Sequence, residues 1–405
     1  MINIIGGFYK ELCLYPEWDY HYGSGGRASA IVSGLCSDVC FYTYIHDNKI
    51  KDIKHFSEIF NIKLSCFSSS EIINFEYYHS LSAPNIHTFN NPIQFQKQLN
   101  IEGEIVICYG MMEAPNPVIN SNYLIFDPQS ENNPSLVFDN GSFFNHLAII
   151  MNVEEAKKFT GKEDIDFIVK IFFEKSDKLE VLILKDGPFG AYLYYKNEFF
   201  YIHAYETENV FKIGSGDVFV AVFGYLWAKE KLEPIEAAQK ASLATAMYCN
   251  NQILQINRSN LDNLESFKKI KIDKTKFDKK IYLAGPFFTM ADRWLIEEAK
   301  FQLEKFGANV FSPLHDVGFG KSDVVAKEDL KGVDESDILY AVLNDYDPGT
   351  IFEVGYAISK GIPVVIFIEN KTPINMTMFE GSGCIIESDF STSIYKVIWE
   401  VARTK

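Results

Sequence analysis

The chain has 405 residues, which at roughly 100–200 residues per domain exceeds one ordinary core and suits two or three. Hydrophobic residues make up 47% and charged residues 23%, with 25 Gly and 14 Pro, the balance of a packed globular protein and not of a disordered, collagen-like or coiled-coil one. Lys and Arg total 38 against 54 Asp and Glu, and the net charge of −16 argues against nucleic acid or an anionic lipid surface as a general partner.

The opening Met-Ile-Asn-Ile-Ile-Gly-Gly has neither a basic n-region nor a small-residue cleavage site, and the run Val218 to Ala228 is about half of what a bilayer crossing needs. A cytoplasmic protein without membrane association is therefore expected. Seven Cys without CxxC spacing indicate neither a disulfide framework nor a zinc site, and the eight His form no HExxH or HxxxH pair.

In chain order, strands are predicted at 104–108 and 123–126, a helix at 154–159, strands at 181–184 and 191–195, and a helix at 218–229. The stretch from Asn48 to Asn100, rich in aromatic residues and Asn, is expected to mix loops with short elements. Formal charge then locates a boundary. Residues 1–267 carry 20 basic and 33 acidic side chains, 268–280 carry seven Lys and two Asp, and 281–405 carry 11 and 19. The basic segment, 268–280, lacks a wide apolar helical face and reads as a solvated linker between domains at 1–267 and 281–405. Beyond it come a strand at 281–285, an amphipathic helix through Trp294, Leu295, Ala299, Leu303 and Phe306, strands at 309–311 and 338–343, a helix near 350–360, a strand at 363–368 and a last helix near 393–402. This alternation predicts a small parallel doubly wound sheet, with its ligand crevice at the carboxyl ends of the strands.

Two groups of residues carry chemistry. Gly214-Ser215-Gly216-Asp217 precedes an apolar helical run, so its amides can converge on an oxyanion at a helix start while Asp217 takes a proton from an alcohol. An ordinary capped turn fits the same residues. In the second group, Asp337, Asp347 and Glu353 flank a strand and the start of the next helix. Retaining glycosyl transfer needs one carboxylate as nucleophile and another to manage a proton on the leaving group. Thr350-Ile-Phe-Glu353 also reads as a capping box, and Asp347-Pro-Gly as a turn.

The first group resembles the ribokinase-like (PfkB-type) sugar and nucleoside kinases. The resemblance covers about residues 1–258 and adds Gly23-Ser-Gly25-Gly26-Arg-Ala-Ser-Ala30, Asp127-Pro-Gln129, Asn152-Val-Glu-Glu155 and Lys185-Asp-Gly187-Pro-Phe-Gly190-Ala191 in family order. It implies that Asp217 is the base acting on the acceptor hydroxyl and that Gly214, Ser215 and Gly216 form the anion hole. Lys185, Gly187 and Gly190 would line the ATP site, Gly25 and Gly26 the substrate site, and Asn152 and Glu155 would organise Mg²⁺. Three places depart from the family. Phe211-Lys212-Ile213 replaces Asp-Thr-Thr, so a polar phosphate contact is either missing or replaced by Lys212. Arg27 or Ala28 stands near the usual sugar-contacting Asn, and Glu11 or Asp19 is the candidate for the missing substrate-binding Asp.

The second group resembles the nucleoside 2-deoxyribosyltransferases through Ile281-Tyr282-Leu-Ala-Gly285-Pro-Phe-Phe288, Ser336-Asp337-Ile-Leu-Tyr-Ala-Val-Leu343, Asp347-Pro-Gly-Thr-Ile-Phe-Glu353-Val-Gly-Tyr-Ala357 and Lys371-Thr-Pro-Ile-Asn375-Met376. This implies Glu353 as nucleophile, oriented by Tyr282, with Asp347 and Asp337 holding the base and assisting its protonation. Gly285 and Asn375 would contact substrate, Asn375 reaching a neighbouring subunit, without a cofactor. Thr289, Arg293 and Ser382 are candidate phosphate donors for a nucleotide substrate, and His315-Asp316 a further polar contact or a capped loop. The expectation for the whole chain is an α/β protein of two doubly wound domains, a ribokinase-like one and a smaller flavodoxin-like (Rossmann-type) one. It would be a homo-oligomeric bifunctional enzyme of nucleosides, nucleotides or pentoses, with ATP and Mg²⁺ for its kinase half. The alternative is an amino-terminal half that is a non-catalytic nucleotide-sensing or assembly module regulating a nucleotide N-glycosidase.

Overall fold

The computed structural model describes residues 1–129, 140–262, 267–272, 277–369 and 376–403. Contacts divide the chain into two units, Met1–Thr207 with Phe211–Ile270, and Glu208–Val210 with Lys271–Lys405.

The first unit is built on thirteen strands among the described residues: β1 (Ile2–Ile5), β2 (Lys10–Tyr15), β3 (Trp18–His21), β4 (Val39–Ile45), β5 (Lys63–Ser68), β6 (Ile73–His79), β7 (Asn85–Thr88), β8 (Asn100–Tyr109), β9 (Val118–Asp127), β10 (Phe143–Asn152), β11 (Leu179–Lys185), β12 (Ala191–Tyr195) and β13 (Glu198–Ile202). Its helices are α1 (Gly23–Leu35), α2 (Ile50–Phe60), α3 (Val153–Thr160), α4 (Ile165–Lys175), α5 (Ser215–Gly224), α6 (Pro234–Asn251) and α7 (Arg258–Asp262). Nine strands form one sheet in the order β13-β12-β11-β10-β9-β8-β1-β4-β5. It is parallel from β11 to β5, and the pairs β11/β12 and β12/β13 are antiparallel. Its inner strands are unbroken apolar runs because helices cover both faces. Ala28, Ile31, Val218, Val222 and Ala241 pack on one face, and Ala156, Ile168 and Phe172 on the other. A second sheet, β3-β2-β6-β7, uses the aromatic segments near the amino terminus and within the stretch 48–100.

The second unit has β14 (Lys280–Ala284), β15 (Asn309–Phe311), β16 (Ile338–Val342), β17 (Val364–Phe367) and β18 (Ile385–Glu387), with α8 (Met290–Lys305), α9 (Ser322–Asp334), α10 (Pro348–Ser359), α11 (Thr377–Gly381) and α12 (Phe390–Val401). Its sheet, β15-β14-β16-β17-β18, is wholly parallel. Val333 of α9 and Val354 and Ala357 of α10 share a core with Tyr282, Leu339, Ala341 and Ile366.

The basic segment is less solvated than its charge suggests. Lys269 bridges Tyr205 in antiparallel fashion, and Ile270 and Ile272 are buried while Lys271 between them stays exposed. Lys-Ile-Lys-Ile is an alternating strand pattern, which a count of charges overlooks. Lys280 already belongs to β14.

Candidate functional site

In the second unit, β14 carries Tyr282 fully buried at its centre, and α10 begins one loop beyond β16, its neighbour in the sheet. The Tyr282 hydroxyl donates to Glu353 Oε1 at 2.7 Å. Burial raises the Glu353 carboxyl from the ordinary 4.5 to about 7. The tyrosine hydrogen bond opposes this rise, and the charges of Asp329 and Asp347 add to it. Burial, with the Glu353 charge, also pushes the Tyr282 hydroxyl far above its usual range, so it stays a donor. Asp329, on α9, has one buried oxygen, Oδ1, without a hydrogen-bond partner, and burial raises its carboxyl as well. A carboxylate kept from water beside a fixed donor can attack an electrophilic carbon, and a second carboxyl that holds its proton can give it to a leaving group. Sequence reasoning missed Asp329 because an acidic residue within Lys327-Glu-Asp-Leu330 looks like any solvated helix face.

In the first unit, Gly214 caps α5 at φ 74°, a left-handed conformation that favours glycine, and Asp217 lies in the first turn. Both carboxylate oxygens of Asp217 are engaged: Oδ2 by Arg27 Nη1 at 2.7 Å, and Oδ1 by Gln129 Nε2 at 2.7 Å. Tyr109 Oη donates to the Asp217 carbonyl at 2.9 Å. Arg27, with no exposed surface, also donates from Nη2 to Glu11, itself buried. Burial disfavours the Arg27 charge, but Glu11 and Asp217 outweigh it and hold the guanidinium firmly protonated. Lys212 Nζ reaches Ser215 Oγ at 2.6 Å. The Lys185 ammonium pairs with the buried Asp127 at 3.0 Å and lies over Gly216, where an added Cβ would come within 3.1 Å of it.

Residues 147–257 match the family model described as pfkB family carbohydrate kinase, and residues 281–390 match that of nucleoside 2-deoxyribosyltransferase. The chain joins a pfkB-like unit to a nucleoside 2-deoxyribosyltransferase-like unit. Among solved structures it is similar to a ribokinase from Giardia lamblia, at 16% identity and TM-score 0.50 over 65% of this chain and 98% of that one. A protein from Agrobacterium tumefaciens assigned as a ribokinase aligns at 12% identity and TM-score 0.51, over 65% and 96%. These likenesses show the ribokinase fold of the larger unit. No curated protein matches the chain.

Within the deoxyribosyltransferase-like unit, Asp337 stands apart from Tyr282 and Glu353. It precedes β16, so it lies at the amino edge of a parallel sheet, where Oδ2 accepts from Lys280 N at 2.9 Å and Oδ1 from Lys279 Nζ at 3.3 Å. Its expected place beside the base is corrected accordingly, because a crevice at the carboxyl edge cannot include it. Asp347 is the N-cap of α10, its Oδ2 accepting from Thr350 N and Oγ1, which frees Glu353 from the capping-box task. Gly285 directly follows β14, where an added Cβ would meet Ile296 and Val342. Thr289 caps α8, the Arg293 Nε holds the Phe287 carbonyl, and His315 bridges Glu297 and Ser312. Ser382 is the C-cap of α11, and Asn375 lies outside the described residues.

Within the pfkB-like unit, Asn152 and Glu155 form a reciprocal capping box at the start of α3. Gly25 and Gly26 sit inside α1 and let it pack on Gly6, Phe41 and Phe8. Gly187 and Gly190 flank the short turn between β11 and β12. Among the described residues, no three of His, Cys, Asp and Glu gather as a metal site. The box engages Asn152 Oδ1 and Glu155 Oε2, and the Glu155 charge also acts on the Asp127–Lys185 pair.

Proposed function

We propose that the deoxyribosyltransferase-like unit breaks or exchanges the N-glycosidic bond of a deoxynucleoside or its monophosphate, with Glu353 as nucleophile. The observation that carries this reading is the 2.7 Å hydrogen bond from Tyr282 to a Glu353 carboxylate raised to about 7. Glu353 attacks C1′, the base leaves as the C–N bond breaks, and a glycosyl ester forms that water or a second base opens. Tyr282 aims the attacking oxygen and stabilises its charge. Asp329, with its unpartnered oxygen and raised pKa, is suited to hand a proton to the departing base, and Asp347 fixes the helix that carries Glu353. The test is incubation with deoxynucleosides and their monophosphates, with and without a second free base, followed by chromatography. Glu353→Ala is expected to abolish base release while the fold persists, and wild-type activity in that variant removes the nucleophile assignment.

For the pfkB-like unit, the first reading is ATP-dependent phosphorylation of a sugar or nucleoside hydroxyl, with Asp217 as base. One observation favours the second reading, a non-catalytic nucleotide-sensing module: each oxygen of Asp217 already accepts a side-chain hydrogen bond, from Arg27 and from Gln129, with which an acceptor hydroxyl would have to compete. Measuring ADP release across a panel of pentoses and nucleosides, with Asp217→Asn as control, separates the two. We also propose that the chain assembles as a homo-oligomer in the cytoplasm, since Phe288, Phe319, Ile351 and Phe352 stand exposed around the glycosyl-transfer residues in sequence.

A further inference from the structure

For a phosphoryl group to pass, Asp217 must face the acceptor hydroxyl while the amides of residues 214–217 face the phosphoryl oxygens beside it. The group that stands against both Gly214 and the Asp217 carboxylate is the Arg27 guanidinium. A Cβ built on Gly214 would come within 2.1 Å of Arg27 Cζ, so the guanidinium fills the space directly over that glycine. It is held on several sides: by Glu11, by Asp217 Oδ2 at 2.7 Å, by the Gly23 carbonyl at 3.4 Å, and by the rings of Tyr22 and Tyr248 at 5.8 and 5.9 Å. Gln129 takes the remaining Asp217 oxygen. We propose that Arg27 is a built-in occupant of the acceptor place, closing the pfkB-like unit to neutral sugar and nucleoside hydroxyls. The proposal rests on the reading of the 214–217 loop given above and supplies the cause of its second form.

The chemistry excludes simple displacement. One cation sits between two buried carboxylates, and a neutral hydroxyl that replaced it would leave Glu11 and Asp217 facing each other without a counter-charge. An acceptor hydroxyl needs an oxygen to take its proton. The unspent group here is instead a donor, the buried Arg27 Nε, which has no hydrogen-bond partner. Arg27 is also tethered, so an incoming sugar competes with a side chain of high effective concentration. The sequence hinted at this, since Arg27 stands near the place of a sugar-contacting Asn and Glu11 near that of a substrate-binding Asp. At two of the three departures, one of the two residues named there, Arg27 in one case and Glu11 in the other, forms half of a buried ion pair.

The experiment uses the full chain and its Arg27→Ala and Asp217→Asn variants, with ATP, Mg²⁺ and a pentose and nucleoside panel. Wild type is expected to release no acceptor-dependent ADP. Arg27→Ala should melt below wild type and regain at least half of the lost Tm in low-millimolar guanidinium chloride, but not in equal sodium chloride. Its ATP hydrolysis should exceed that of wild type at least tenfold and fall again as guanidinium refills the place. Failure of guanidinium to act on a folded Arg27→Ala overturns the proposal. So does acceptor-dependent ADP release by wild type that Asp217→Asn abolishes, a result that needs no folded Arg27 variant. If no form of the chain binds ATP, the reading of the 214–217 loop is itself wrong, and the proposal falls with it.

Discussion

At residue scale, the cost of holding Glu353 ready is measurable. Its carboxyl is raised from 4.5 to about 7, so between those values the folded chain binds more protons at this site than the unfolded chain. Stability from this group is present at low pH and is lost as pH rises through that window. Turnover by an ionised nucleophile runs the opposite way and should rise through pH 7. Glu353→Gln is therefore expected to gain ~2 kcal/mol of stability at pH 8 and none at pH 4, while losing base release, and denaturant titration at the two pH values checks this. Tyr282→Phe removes the hydrogen bond that favours the carboxylate, so the acid limb of kcat/KM should move to higher pH and the plateau should fall about 10–100-fold. An unshifted limb in a folded Tyr282→Phe enzyme would show that another group controls ionisation. Arg27 is the opposite case. Leaving its two buried carboxylates unpaired should destabilise the chain by ~3–5 kcal/mol.

At the scale of elements, parallel topology decides which carboxylates meet. Asp337 and Glu353 are both close to β16 in sequence, yet one precedes the strand and the other follows it, so they fall at opposite edges of the sheet. Asp337→Ala should cost ~1–2 kcal/mol by orphaning the Lys280 amide, with kcat for glycosyl transfer unchanged within about twofold; a large loss of kcat without loss of stability would return it to the active site. The smaller unit was legible in the sequence because each of its buried strands is a short continuous apolar run. The expected strands at 281–285, 309–311, 338–343 and 363–368 match β14 to β17 to within a residue or two. The Asn48 to Asn100 stretch was not legible, because β5, β6 and β7 are partly exposed and β5 and β6 pair with β4 and β2, which lie outside the stretch. The pairing of Glu353 with Tyr282 was implied by the resemblance to the nucleoside 2-deoxyribosyltransferases, which rests on the motifs at 281–288 and 347–357. Asp329 and the Arg27–Asp217 contact, 190 residues apart in the chain, depend on tertiary packing that no local pattern announces.

At the scale of the whole molecule, the proposed self-association would draw on the exposed apolar side chains of the deoxyribosyltransferase-like unit. Phe288 is 71% exposed, Phe319 78%, Phe352 64% and Met290 88%, although this unit has a complete core of its own. Phe287 stacks near both Phe288 and Phe319, so part of this surface is one aromatic cluster and not scattered single residues. A net charge of −16 opposes unspecific association, which leaves a specific, apolar interface as the way to cover such a cluster. Ile351 and Phe352, on the same helix as Glu353, add to the exposed apolar surface of this unit. Phe319→Ser with Phe352→Ser, both away from the core, is expected to shift the chain to monomer in light scattering, with Tm changed little. Base release should then fall with dilution in wild type and be low at every concentration in the double variant. Unchanged mass in that variant would overturn the interface, and lowered activity at unchanged mass would make these aromatic residues walls of the monomer's own substrate pocket.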